Sequence, residues 1–249
     1  MPIRSILVKI DGSGSSHIAA ELALEWAVRF RARIKGISVF DEERYLIPYA
    51  EEPPGLYEQR LKELEAAKTA AEAALEQLSS QCAERGILCE VCQETGRFRE
   101  AVLKEIQRHD VVLLGRHLHA STIDDPSGRI TRLLRDSCRP VVLVPEALPR
   151  EENTLLAYNG SPSSARVLAT LVASGLLDTG RTIVAGVDET VEQAQARIAP
   201  ALDYLAIHEI PAEGLAISSR APVHDELVEQ VAKRDVGLLA AGAFGRSRT

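Results

Sequence analysis

Long apolar runs are absent from this chain of 249 residues: none approaches the ~20 residues that a bilayer-spanning helix needs. The short apolar stretch in "MPIRSILVKIDGS" ends in a charged turn, which is not the architecture of a cleavable signal, so a leader is not expected from it. Positive charge is in deficit. Against 36 Asp and Glu stand 29 Lys and Arg, for a net charge of −7, and the basic residues mix with Glu along stretches such as "YEQRLKELEAAK". That pattern is a solvated helical face and gives no support to nucleic acid as a partner; membrane is not expected either. With 45% hydrophobic and 26% charged residues and few aromatics, the composition is that of a soluble globular protein, expected in the cytoplasm.

Cysteine is scarce, at four residues. Cys89 and Cys92 form a C-x-x-C, but "ILCEVCQET" reads as a strand, on which residues three apart point to opposite faces. A redox pair also wants a helix N-terminus to lower its thiol pKa, so reduced thiols are expected. Equally missing are a nucleophile elbow, a lysine-bearing phosphate loop, and any Ser/His/Asp or paired-carboxylate set that can be brought together. His117 and His119, with Asp124 and Asp125, read as an exposed polar loop rather than a metal cluster. The expectation is a protein that is not an enzyme.

What is present is a pattern, twice. "IRSILVKID" is nearly continuous apolar from Ile6 to Ile10, as in a strand covered on both faces. "GSGSS" supplies turn and cap residues, and Ile18, Leu22, Trp26 and Phe30 repeat every four residues as a helix stripe. "IKGISVFD", "ILCEVCQET", "DVVLLG" and "RPVVLVP" are further strands. Between them lie a proline loop over 42–55, a helix from about Leu56 to Arg85, and the helical "REAVLKEIQRH" and "RITRLLRDS". Strands alternating with helices argue for parallel pairing. The second half answers this: "TLLAYNGSPSSARVL" against "SILVKIDGSGSSHIA", "RTIVAGVDE" against "RIKGISVFDE", and "HDELVEQVAKRDVGLL" without gaps against "REAVLKEIQRHDVVLL". A repeat of this length is a tandem of two related domains, residues 1–147 and 152–249, divided by the proline-rich, charged "PEALPREEN".

Asp11, Gly12 and Ser13 after strand one, Val39 and Asp41 at the end of strand two, a loop after strand four and "CRPV" at strand five resemble the universal stress protein family in its tandem form. The resemblance covers nearly the whole chain. It implies an α/β fold of two Rossmann-like domains, each an open parallel sheet of order 3-2-1-4-5 with helices on both faces. The second domain would be incomplete at its C-terminal end. In that order the switch point lies between strands one and four, where open sheets bind ligands. Family members that bind ATP carry Gly-x2-Gly-x9-Gly-Ser/Thr after strand four. By that resemblance Asp11 would accept from ribose, Val39 would face adenine, and a glycine loop running into a helix would hold phosphates.

The first domain departs from the motif at two points. Gly115 and Gly128 fit, Leu118 stands at the second glycine, and Arg129 replaces the Ser/Thr, where a guanidinium can pair with phosphate. Ile130 and Thr131 match the start of the following helix. Asp124 and Asp125 would repel a triphosphate without magnesium between them. In the second domain Asn159 replaces the strand-one Asp, Gly186 falls at the strand-two Val, and Gly242 and Gly245 supply Gly-x2-Gly.

The resulting expectation is a non-enzymatic stress-response protein that binds or senses ATP, with Mg2+ as counter-ion. A nucleotide-independent interaction module and a slow ATPase are the alternatives. The resemblance further implies an internal pseudo-dimer of the two domains, with a homodimer as a further assembly. "LLAAGAFGRSRT" is expected to be strand four and the opening of the second phosphate loop, in a gene product that continues past Thr249.

Overall fold

Ser5–Lys9 (β1) is buried along its whole length, as its apolar run dictates. The structure is a computed structural model that describes residues 2–42, 55–116, 126–150 and 152–243, with the backbone alone at 126–129. The chain divides into two units that part between Leu148 and Pro149. No helix among the described residues is long and apolar enough to cross a membrane.

In the first unit β1 is followed by α1 (Gly14–Phe30), β2 (Arg33–Phe40), α2 (Leu56–Glu84), β3 (Cys89–Thr95), α3 (Phe98–Glu105), β4 (Val111–Gly115), α4 (Pro126–Asp136) and β5 (Val141–Val144). The five strands are all parallel in the order β3-β2-β1-β4-β5. α3 and α4 cover one face, where Leu7, Ile37, Val102, Ile106, Val112, Leu114 and Leu133 form a core. α1 and α2 cover the other, where Phe40, Leu64 and Ala71 pack and Leu78 meets Gly36. β1 and β4 are neighbours, so the chain reverses its direction of sheet growth between them.

Ser13 caps α1 by accepting from the Ser16 amide at 3.2 Å, and the helix stops where Arg31 turns left-handed at φ 53°. Its buried face differs from the expected stripe. Ala19, Ala23, Leu24, Trp26 and Ala27 are buried, whereas Ile18, Leu22 and Phe30 are only half-buried. A strict four-residue repeat drifts around a 3.6-residue helix. The small alanines take the sheet side, and Phe30 is left edge-on to Trp26 at 6.4 Å.

The second unit comprises β6 (Asn153–Ala157), α5 (Pro162–Ser174), β7 (Thr182–Asp188), α6 (Val191–Ile207), β8 (Ala212–Ser218), α7 (Val223–Lys233) and β9 (Val236–Ala241). Four parallel strands run β8-β7-β6-β9 among the described residues. The Tyr158 amide donates to Ala185 O at 2.8 Å, as Ile10 does to Ile37 O at 2.9 Å, so one constant offset relates the two β-α-β starts. That register corrects two sequence alignments. Val187, not Gly186, is the counterpart of Val39, and Gly186 instead makes room for Ile198, whose Cγ2 would lie 2.5 Å from an added Cβ. The ungapped match into the fourth strand also fails: Asn153 pairs with Val236 but Thr154 with Leu238, so Gly237 is an extra residue taken up as a bulge.

Candidate functional site

The turn after β1 is built around one carboxylate. Asp11 Oδ1 accepts from the Ser13 amide at 3.0 Å and from Ser13 Oγ at 2.5 Å, while Oδ2 is paired with the Lys9 ammonium. Burial works to raise the Asp11 pKa, but the Lys9 charge and the bonds from Lys9 and Ser13 outweigh it and lower it to about 2. Asp11 is therefore ionised at any physiological pH. Gly12 holds φ at 76°, and an added Cβ would lie 2.8 Å from the Ala70 backbone of α2, so glycine is required there twice over. Ser13 serves as helix cap and turn partner at once, and its Oγ lies 3.2 Å from Ser15 Oγ.

Gly115 ends β4 against this turn. A Cβ there would sit 2.7 Å from the backbone and Oγ of Ser15. Asp11, Gly12, Ser13 and Gly115 are thus brought together at the carboxyl ends of β1 and β4. Val39 lies near the end of β2 and packs with the core under α3. Ile130 and Thr131 fall within α4, half-buried and exposed respectively. Gly128 and Arg129 lie in its first turn, where only the backbone is described. Leu118, His117, His119, Asp124, Asp125 and Gly245 fall outside the described residues.

The second unit repeats the scaffold with different charges. Asn159 Oδ1 accepts from the Ser161 amide at 3.1 Å, which preserves the turn without the carboxylate. Gly242 lies against Ser163 and Ser164, with 2.8 Å left for a Cβ, just as Gly115 lies against Ser15. Ala157 stands where the first unit has Lys9. Arg197 of α6 crosses this end of the sheet, donating through Nε to Asp188 Oδ2 at 2.7 Å and through Nη1 to Asn159 O at 3.2 Å.

Sequence reasoning missed Lys9, Asp188 and Arg197. Lys9 had a signal, a lone charge inside the apolar "ILVKI", and it is only 8% exposed. Arg197 had none, since its partners lie 9 and 38 residues away. The cysteines offer no competing chemistry. All four are free, burial pushes the Cys82 thiol up to about 12 and raises Cys89 and Cys92, and no group of three metal-ligating side chains occurs among the described residues.

Comparison with known proteins agrees with this architecture. No curated protein matches the chain. Among solved structures, a universal stress protein from Archaeoglobus fulgidus DSM 4304 is 17% identical over 98% of this chain and 86% of its own, with a TM-score of 0.69. A putative universal stress protein from Pseudomonas aeruginosa UCBPP-PA14 is 17% identical over 99% of this chain and 84% of its own, with a TM-score of 0.63. At such identities these likenesses establish the fold, and the family is carried by sequence: the model of the Universal stress protein family matches residues 2–145, more than half of the chain. Its parallel sheet of order β3-β2-β1-β4-β5 and this match together make the chain a member of the universal stress protein family.

Proposed function

We propose that the first unit binds an adenine nucleotide, ATP, at the carboxyl ends of β1 and β4, and that the protein reports nucleotide state rather than catalysing a reaction. The observation that carries this reading is the convergence of an ionised carboxylate, two serine hydroxyls and a glycine strand end at the point where the sheet reverses its growth. Asp11 keeps lone pairs for ribose hydroxyls, Ser13 spends its hydroxyl proton on holding that carboxylate with Ser15 Oγ beside it, and Gly115 brings the strand end up against the first turn of α1, whose amides face anions. Gly12, Val39, Gly128, Arg129, Ile130 and Thr131 complete the set on the family resemblance, and magnesium would accompany the nucleotide as counter-ion, since Asp124 and Asp125 would otherwise repel a triphosphate. In the second unit Asn159, Gly242 and Gly245 would form a weaker site, because the carboxylate is gone and Arg197 already binds the Asn159 carbonyl.

One observation favours a nucleotide-independent interaction module instead. Both oxygens of Asp11 already have partners, and both glycines at the ends of β4 and β9 are needed for packing alone. The experiment is calorimetry with ATP, together with ultraviolet and mass spectra of the purified protein. One nucleotide per chain, displaced without phosphate release, is expected. No uptake supports the interaction module, and steady phosphate release supports a slow ATPase.

A further inference from the structure

The two units carry alternative charge states at one place in the scaffold: Lys9 with Asp11 in the first, Ala157 with Asn159 in the second. A strand that needed only to pack would carry the alanine in both. Lys9 is 8% exposed, so little of the residue reaches water. An ammonium has three N–H donors. Among the described residues its partners are one Asp11 oxygen and the face of Phe98, 5.6 Å from the ring centroid. That leaves N–H donors of a largely buried side chain without a protein acceptor, an arrangement that suits a ligand oxygen. Asp11 alone would also repel any phosphate brought to the end of β1.

We propose that Lys9 is a ligand-contacting residue that lets the first unit accept a phosphorylated ligand beside the Asp11 carboxylate, so that this site selects nucleotide over nucleoside. The inference rests on the nucleotide reading above and adds to it the group that recognises the phosphates. Lys9 offsets the Asp11 charge and presents its free donors to a phosphate oxygen. The second unit, with a neutral pair, lacks this cation at the same position.

The experiment measures dissociation constants of ATP and adenosine, at constant magnesium, for the full chain and for Lys9→Met. The wild type is expected to hold ATP more tightly than adenosine. In K9M the ATP constant should rise at least tenfold while the adenosine constant stays within about twofold. Should K9M fail to fold, the Lys9→Ala/Asp11→Asn double variant, which copies the second unit, is read through the ratio of the adenosine constant to the ATP constant. That ratio should fall at least tenfold. ATP and adenosine weakening in equal proportion, or an unchanged ATP constant, overturns the role of Lys9 while leaving nucleotide binding intact. A wild type that binds adenosine as tightly as ATP overturns it too. A wild type that binds neither removes the nucleotide reading itself, and this inference with it.

Discussion

Gly115 and Gly242 are each pressed against the first turn of the helix that leaves the neighbouring strand, α1 after β1 and α5 after β6, and this contact explains them before any ligand is considered. Gly115→Ala should destabilise the first unit by about 1–3 kcal/mol, because the Ser15 backbone cannot retreat from the added methyl as a flexible side chain would. Thermal denaturation of G115A checks it, and an unchanged midpoint would mean that the strand end yields. These glycines were legible in the sequence, as were Asp11 and Ser13, because turn and cap residues follow local rules. The reason for each glycine was not legible. A close approach between Gly115 and Ser15 joins residues one hundred positions apart, and only the fold brings them into contact. Lys9 shows the opposite failure: its charge was visible and the spacing of two puts it on the same side as Asp11, but nothing local says that the chain leaves β1 with the two groups in contact.

At the level of elements, a polar network ties α3 to the amino ends of the strands. Lys35 of β2 binds Glu90 of β3 and Glu105 of α3, each at 2.9 Å, and the buried His109 sits 2.6 Å from Ser5 Oγ of β1. Burial lowers the His109 pKa; Glu105 and Asp110 work against that, and Arg33 and Lys35 add to it. The unfolded chain therefore takes up this proton near the ordinary imidazole value of 6.5, while the folded chain does so only at lower pH. Stability should fall as pH drops through 6.5, and fall further toward the acid as Glu105, whose own pKa is lowered chiefly by Lys35 against burial, becomes protonated. Urea denaturation at pH 7.5 and 5.5 is expected to show this loss, with His109→Gln reducing it; equal slopes in the two proteins would remove His109 from the account. In the second unit a single side chain performs the comparable tie. Arg197→Met should cost about 2 kcal/mol, less than for a fully buried pair because the Arg197 side chain is 42% exposed, and Asp188 would keep its burial without the guanidinium. Denaturant midpoints of R197M measure it. The strands and helices that host these networks were readable from periodicity, but the networks join separate strands and helices and left no pattern along the chain.

For the whole molecule, the tandem repeat was visible in the sequence because strand-turn-helix starts repeat nearly residue for residue. The bulge at Gly237 was not visible, since sequence matching through α3 and α7 continues smoothly while the strand pairing shifts by two residues, one of them Gly237. A nucleotide held by the first unit alone should stabilise the chain unevenly. ATP at 100 times its dissociation constant adds ~2.7 kcal/mol to whatever unfolds with the site. Amide exchange should then slow at residues 10–16 and 113–116, with the second-unit turn at 159–164 unaffected. Equal protection of both turns would indicate two comparable sites and contradict the asymmetry between Asp11 and Asn159.

The paired exchange of Lys9 and Asp11 for Ala157 and Asn159 also constrains how two copies of one ancestral half could have drifted apart. Either residue changed alone passes through a protein with one uncompensated charge, but the two routes are unequal. An Ala–Asp intermediate keeps the carboxylate on the Ser13 amide and hydroxyl, whereas a Lys–Asn intermediate leaves a largely buried lysine at the end of β1 without its carboxylate. Lys9→Ala should therefore melt above Asp11→Asn, with the double variant nearer to wild type than the sum of the two singles. Divergence between the halves would then have run through the acid-only form, whichever half came first.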